Sequence, residues 1–359
     1  MHRHDENWER FFQSAALAFP DGRRVLVPVL GAGSRRWLTR EENGGADPLL
    51  RPLVSWQHLV QGVANAEDVA IAVSERPTMT SAFEDVVHVV HARSPETQPV
   101  SETERRLIVE HVVGPMRAAA DVARARDGVR ARAARLRGAN FADRIDLCFD
   151  SVLAPEGARV HAGSARHEDP HTTCVTDGPH RCWHAHGYTE RGGREPYIVL
   201  GVQRYGRAVS GAVRAFERRM WRGRQSGSAE AGARSTIMGR NAWRAAPGAA
   251  IVPQHWLEVG LDAPLVLLGV GLGHEEWDLR WFLEARARVH ARMAPGAQPW
   301  TFRLTCSEES VEDRDRAHAA TPGTDLLDLY VGGTWDDAWA RFFDILDSTA
   351  PSATARENA

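Results

Sequence analysis

The sequence predicts an α/β fold: a doubly wound, mostly parallel sheet with helical insertions. Three observations lead there. Unbroken apolar runs at Val25–Leu30 and Leu265–Leu268 are the pattern of strands covered on both faces. Such runs alternate with helical stretches across long connections, which is how parallel strands are joined. Two of them run directly into glycine turns, Gly31-Ala32-Gly33-Ser34 and Gly269-Val270-Gly271-Leu272-Gly273. There the missing Cβ lets backbone approach a bound phosphate.

The elements follow in order. Trp8 to Phe19 reads as a helix with Trp8, Phe11, Phe12 and Ala15 on one face, ended by Pro20-Asp21-Gly22. Val25–Leu30 is the first strand; Pro28 lacks a ladder donor, so an edge position or a bulge is expected. A loop at Asn43-Gly44-Gly45 precedes a helix opening at Ser55-Trp56-Gln57-His58. Residues 80–137 are helical in pattern, with Val122, Val129 and Leu136 at heptad spacing as a packing seam. The seven arginines from Arg117 to Arg137 lack interleaved aromatics and read as a solvated helix face, not a nucleic-acid surface. Arg144–Phe149 is a strand ending at Asp150, and 154–182 is a loop rich in Gly, His and Asp. Tyr197–Leu200 is a short strand; 203–250 is a further helical addition with a flexible centre at Gln225-Ser226-Gly227-Ser228. After Leu265–Leu268 come a helix from Glu275 to about Ala291, strands at Thr301–Thr305 and Leu327–Val331, and a last helix opened by a Thr334/Asp337 capping box. Residues 1–24 are expected to be an N-terminal helical segment, 25–345 one domain, and 346–359 a helix end and tail.

Composition excludes several chemistries. Every one of the 44 basic residues is arginine, so a P-loop, a pyridoxal Schiff base and a kinase site all lack their lysine. The four cysteines form no C-x-x-C pair and fit a reducing compartment. A net charge of -3 draws the chain to neither nucleic acid nor membrane, and the N-terminus lacks the apolar core of a signal peptide. A cytoplasmic protein without a membrane span is the expectation.

A third segment, Trp183-His184-Ala185-His186-Gly187, lies between the two glycine turns in the chain. Taken together, these motifs resemble the SIR2-like family, the sirtuin fold as it occurs in bacterial defence proteins. Gly31-Ala32-Gly33-Ser34 resembles its first phosphate loop, and Ser55-Trp56-Gln57-His58-Leu59-Val60 the helix that follows. Phe149-Asp150-Ser151-Val152-Leu153 resembles the end of its Asn-Tyr-Asp strand, His186-Gly187 its catalytic His-Gly pair, and Ile198-Val199-Leu200 followed by Tyr205 the strand beyond. Leu268–Gly273 resembles its last nucleotide-contacting loop, and the match spans most of 25–345 in the family's order.

The resemblance implies a Rossmann-like domain that binds NAD and, in the zinc-free defence branch, hydrolyses it to nicotinamide and ADP-ribose. It implies His186 as the catalytic histidine, acting as base or orienting group, with an imidazole suited to the task near neutral pH. Gly31, Ala32, Gly33 and Ser34 would hold the pyrophosphate, while Gly269 and Gly271 would line the adenosine side. It also implies a homo-oligomer or a subunit of a defence complex. The sequence departs from the family at Cys148, where the family has an asparagine two positions before the aspartate. A thiol cannot both donate and accept as an amide does, so Asp150 or Asp146 would take over its work, or the protein would bind NAD or ADP-ribose without turnover, as a sensor or assembly subunit.

A rival reading is a metal site. His161, His167, His171, His180, His184 and His186 lie close in sequence to Cys174 and Cys182, a ligand set rich enough for zinc, although their spacing follows no ligand pattern. The expectation is that the site holds no metal.

Overall fold

The computed structural model describes residues 2–19, 21–40, 47–93, 99–161, 173–190, 196–201, 204–206, 209–211, 213, 255–273, 276–293 and 299–349. Its centre is an eight-stranded, mostly parallel mixed sheet. The strands are β1 (Val27–Leu30), β2 (Asp143–Asp146), β3 (Arg159–His161), β4 (Cys174–Asp177), β5 (His180–His184), β8 (Leu265–Leu268), β9 (Thr301–Cys306) and β10 (Leu326–Val331), in the spatial order β10-β9-β8-β1-β2-β5-β4-β3. Two short strands, β6 (Gly187–Tyr188) and β7 (Tyr197–Ile198), pair with each other in a separate ribbon. The six parallel strands are β1, β2, β5, β8, β9 and β10. Numbered along the chain, they lie in the order 3-2-1-4-5-6, the winding of a Rossmann-like sheet. The direction of winding reverses between β1 and β8, so a crevice is expected at their carboxyl ends.

Both faces of the sheet are covered. One is packed by α1 (His2–Ala15), α2 (Ala32–Thr39), α3 (Arg51–Val54), α4 (Trp56–Ala66), α5 (Met79–Arg93), α6 (Val100–Leu107), α7 (Gly114–Ala125), α8 (Asp127–Gly138) and the last helix, α12 (Trp335–Ser348). The other is packed by α9 (Trp256–Asp262), α10 (Trp277–Met293) and, through Ala317, α11 (Val311–Ala319). This two-sided burial explains why β1 and β8 are apolar at every position. A π-helical stretch, Ile108–Val113, joins α6 to α7.

The helical reading of 80–137 matches α5 to α8, and within the seam Val129 and Leu136 are buried while Val122 packs partly buried against the core. On α1, Trp8, Phe11 and Ala15 enter the main core, but Phe12 is 45% exposed. The capping box of α12 forms as expected, with Thr334 accepting from the Asp337 amide and Asp337 accepting from the Thr334 amide.

Three expectations need correction. Pro28 lies on a central strand, between β2 and β8. The amides of Val27 and Gly31 point to β8, so by alternation position 28 faces β2, and the β1–β2 ladder begins only at Val29. The missing donor therefore falls outside any ladder. The strand expected to run to Phe149 stops at Asp146, because the Asp146 carboxylate accepts from the Cys148 amide at 3.0 Å and turns the chain. Finally, part of the expected loop 154–182 forms β3, β4 and the start of β5. The β4–β5 hairpin closes through the two-residue turn Gly178-Pro179, with Gly178 at φ 56°. Most of the helical addition expected at 203–250, and the tail from 350, lie outside the described residues. Among the described residues no helix is long and apolar enough to cross a membrane.

Candidate functional site

The ends of β1, β2, β5 and β8 meet at the switch point, and the motifs singled out in the sequence converge there. The amide of Gly31 donates to Leu268 O at 3.0 Å, and that of Gly33 donates to Gly269 O at 2.9 Å. An added Cβ at Gly33 would stand 2.7 Å from Gly269 Cα, and one at Gly31 would stand 2.4 Å from Gly269 O. Gly269, at φ 64°, would place a Cβ 2.1 Å from Ser34 N. These three positions need glycine because the two turns pack backbone on backbone. Gly271 is different: it is exposed, and a Cβ there would meet nothing within 4 Å. Ala32 and Ser34 open α2, and Ser34 is buried with its hydroxyl donating to Gly31 O.

Arg35, one residue past the first motif, is fully buried. Its Nε donates to Asp150 Oδ2 at 2.8 Å and its Nη2 to Asp146 Oδ2 at 2.5 Å. Burial disfavours its charge, but the two carboxylates outweigh this and hold the guanidinium well above its ordinary value. The other oxygen of Asp150 accepts from the Val152 amide at 2.9 Å, so both oxygens serve the architecture of the turn. Cys148 is 3% exposed between these groups, and burial pushes its thiol well up, keeping it neutral.

His186 follows β5 by two residues and is 1% exposed. Its Nδ1 lies 2.9 Å from Leu147 O and its Nε2 lies 3.1 Å from Asp278 Oδ2. Both partners accept, so both ring nitrogens must carry protons. Burial alone would lower its pKa; the Asp278 carboxylate more than offsets this and raises it. Asp278, in the first turn of α10, also accepts from the Tyr205 hydroxyl at 2.9 Å and from the Leu279 amide at 2.8 Å. Trp56, at the start of α4, sets its ring edge-to-face against His186 with centroids 5.5 Å apart.

Glu276 lies beside this cluster. Burial raises its carboxyl to about 7, although the amides of Leu272 and Gly271 and the nearby His186 favour the charged form. Leu272 sits at φ 52°, an uncommon conformation for a branched side chain, in the loop whose amides turn toward that carboxylate. The site thus joins an imidazolium, a carboxylate that titrates near neutrality, a tyrosine and an open glycine loop.

No family model and no curated protein matches this chain. The site therefore speaks through its geometry. Among the described residues, those of the metal alternative do not all assemble around one point. His161 reaches Thr176, His180 reaches Phe141 O and His186 reaches Asp278, while His167 and His171 lie outside the described residues. Cys182 and His184 do approach Asp146 in a buried trio. Asp146 already accepts from Arg35 and from the Cys148 amide, and burial holds the Cys182 thiol up at about 12.

Sequence reading missed Arg35, Asp278 and Glu276. Arg35 and Glu276 sit next to or within three residues of glycine motifs, a signal of position only; Asp278 looked like any helix-opening acid.

Proposed function

We propose that this chain binds NAD at the carboxyl edge of its sheet and hydrolyses it to nicotinamide and ADP-ribose, as its resemblance to SIR2-like proteins implies. The observation that carries the reading is the 3-2-1-4-5-6 strand order with the Gly31–Ser34 and Gly269–Gly273 turns at the switch point and His186 on an adjoining strand end. Dinucleotides bind at that position in sheets of this winding. Gly271, exposed and with open space where a Cβ would stand, is where this reading brings backbone close to a phosphate.

Hydrolysis breaks the bond between the ribose and the nicotinamide nitrogen, adds water to the ribose carbon and releases one proton. Glu276, titrating near 7, is suited to receive that proton. His186, held as an imidazolium, acts as an orienting group and not as the base. A second reading, binding without turnover, is favoured by the neutral, buried Cys148 in the position of the family's asparagine. Incubation with NAD, followed by chromatography of nicotinamide and ADP-ribose and by calorimetry, tests both. Turnover that disappears in His186→Ala supports the first reading, binding alone supports the second, and neither binding nor turnover overturns both.

A further inference from the structure

A cavity of about 600 Å³ opens between α7–α8 and the β3–β4 side of the sheet. Its volume is in the range of small-molecule sites. One wall carries Arg124, Arg130 and Arg137; the apolar side includes Val152, Val175 and Tyr188. Arg124 and Arg130 are engaged, Arg124 by Asp121 and Ser151 and Arg130 by Asp127. Arg137 has no hydrogen bond or ion pair among the described residues, and it is half-buried. Arg144, on β2, is 4% exposed, its Nε has no hydrogen-bond partner, and it repels Arg137. Asp177 attracts Arg137 from beyond ion-pair distance, and burial and Arg144 outweigh it. Glu156 and Glu190 also line the cavity; Glu156 is exposed to water and Glu190 stands 4.0 Å from Arg124.

Two guanidiniums that repel one another, one of them almost fully buried, are stabilised by an anion placed beside them. A cavity that sets Val152, Val175 and Tyr188 beside an unpaired cation matches a ligand with an apolar body and one anionic group. We propose that this cavity binds a small organic anion, an aryl or alkyl group bearing a carboxylate or phosphate, with Arg137 as its charge partner. The site is separate from the NAD reading and does not depend on it. It does touch the same two segments, since Val152 follows Asp150 and Tyr188 follows His186 by two residues each.

The test uses the full chain, calorimetry and four probes: phenyl phosphate, benzoate, inorganic phosphate and benzyl alcohol. Saturable binding of phenyl phosphate or benzoate, at least tenfold tighter than inorganic phosphate or benzyl alcohol, is expected. Phenyl phosphate ahead of benzoate identifies the phosphate as the preferred anion, and the reverse order identifies the carboxylate. Arg137→Ala should weaken that binding at least tenfold, and Ala158→Leu, which narrows the cavity without changing charge, should weaken it as well. Circular dichroism and the melting temperature establish that each variant is folded. The proposal is overturned if neither aryl anion saturates below about ten millimolar, or if both folded variants bind as the wild type does. Inorganic phosphate binding as tightly as phenyl phosphate also overturns it, since the apolar wall would then contribute nothing.

Discussion

Gly33 donates its amide to the carbonyl of Gly269 across 2.9 Å, joining the turn after β1 to the turn after β8. Neither residue has room for a side chain, since each stands where the other's Cβ would be. Glycine at these positions is therefore required by the protein's own packing, before any ligand is considered. This changes what a substitution there would report.

Gly33→Ala should destabilise the fold by about 1–3 kcal/mol, because its Cβ meets rigid backbone. Gly271→Ala should leave stability within about 0.5 kcal/mol and weaken NAD binding. Urea denaturation and calorimetry of the two variants separate the structural glycine from the ligand-facing one. Unchanged NAD affinity in Gly271→Ala would remove that residue from the site.

Removing Arg35 strands two buried carboxylates. Arg35→Met should cost about 3–5 kcal/mol in chemical denaturation, while the triple variant that also replaces Asp146 and Asp150 by Asn should recover part of that loss. An Arg35→Met protein as stable as the wild type would show that the ion pairs contribute nothing.

His290 is buried with Nε2 2.8 Å from Leu261 O, and burial lowers its pKa to about 4. The unfolded chain then binds the proton more tightly, so stability is full above about pH 6.5 and falls as pH drops toward 4, by up to about 3 kcal/mol. His290→Asn keeps a donor and should flatten that slope between pH 4 and 6.5.

Glu276 has the opposite sign. Its carboxyl is raised to about 7 by burial, so its contribution is present below about pH 4.5 and is lost as pH rises through 7. Glu276→Gln should stabilise the protein at pH 8 and, on the proposed chemistry, abolish NAD hydrolysis. Full turnover in that variant would eliminate Glu276 as the proton acceptor.

Cys148→Asn tests whether the thiol limits turnover. An amide restores a paired donor and acceptor, and one well-placed donor is worth roughly 100- to 1000-fold in rate. Chromatography of NAD products should show a faster variant, and His186→Ala in that background should silence it. A rapid wild type that loses activity on this substitution would show that the site works through another arrangement.

Five of the six parallel strands (all but β5), the glycine turns, the helical block at 80–137 and the capped last helix were legible in the sequence, since each depends on neighbours in the chain. Apolar runs, periodicity and capping residues act over a few positions, so local chemistry specifies them. The β4–β5 hairpin carried a local signal as well, Gly178 at the turn after the β-branched Val175-Thr176, but surrounding histidines and glycines hid it within a loop.

The partners of each functional group were decided only by tertiary structure. His186 and Asp278 are 92 residues apart in the chain, and Arg35 reaches Asp150 across 115. Nothing local distinguishes Asp278 from other acids that open helices, or Arg35 from the remaining arginines. Their protonation states follow from burial and from charges delivered by distant strands, and those terms come into being only when the sheet closes. The sequence by itself determined an α/β chain with a mostly parallel sheet and where its glycine turns fall; the strand order, the packing of β1 against β8, and that of α10 against the end of β5 decided which residues meet there.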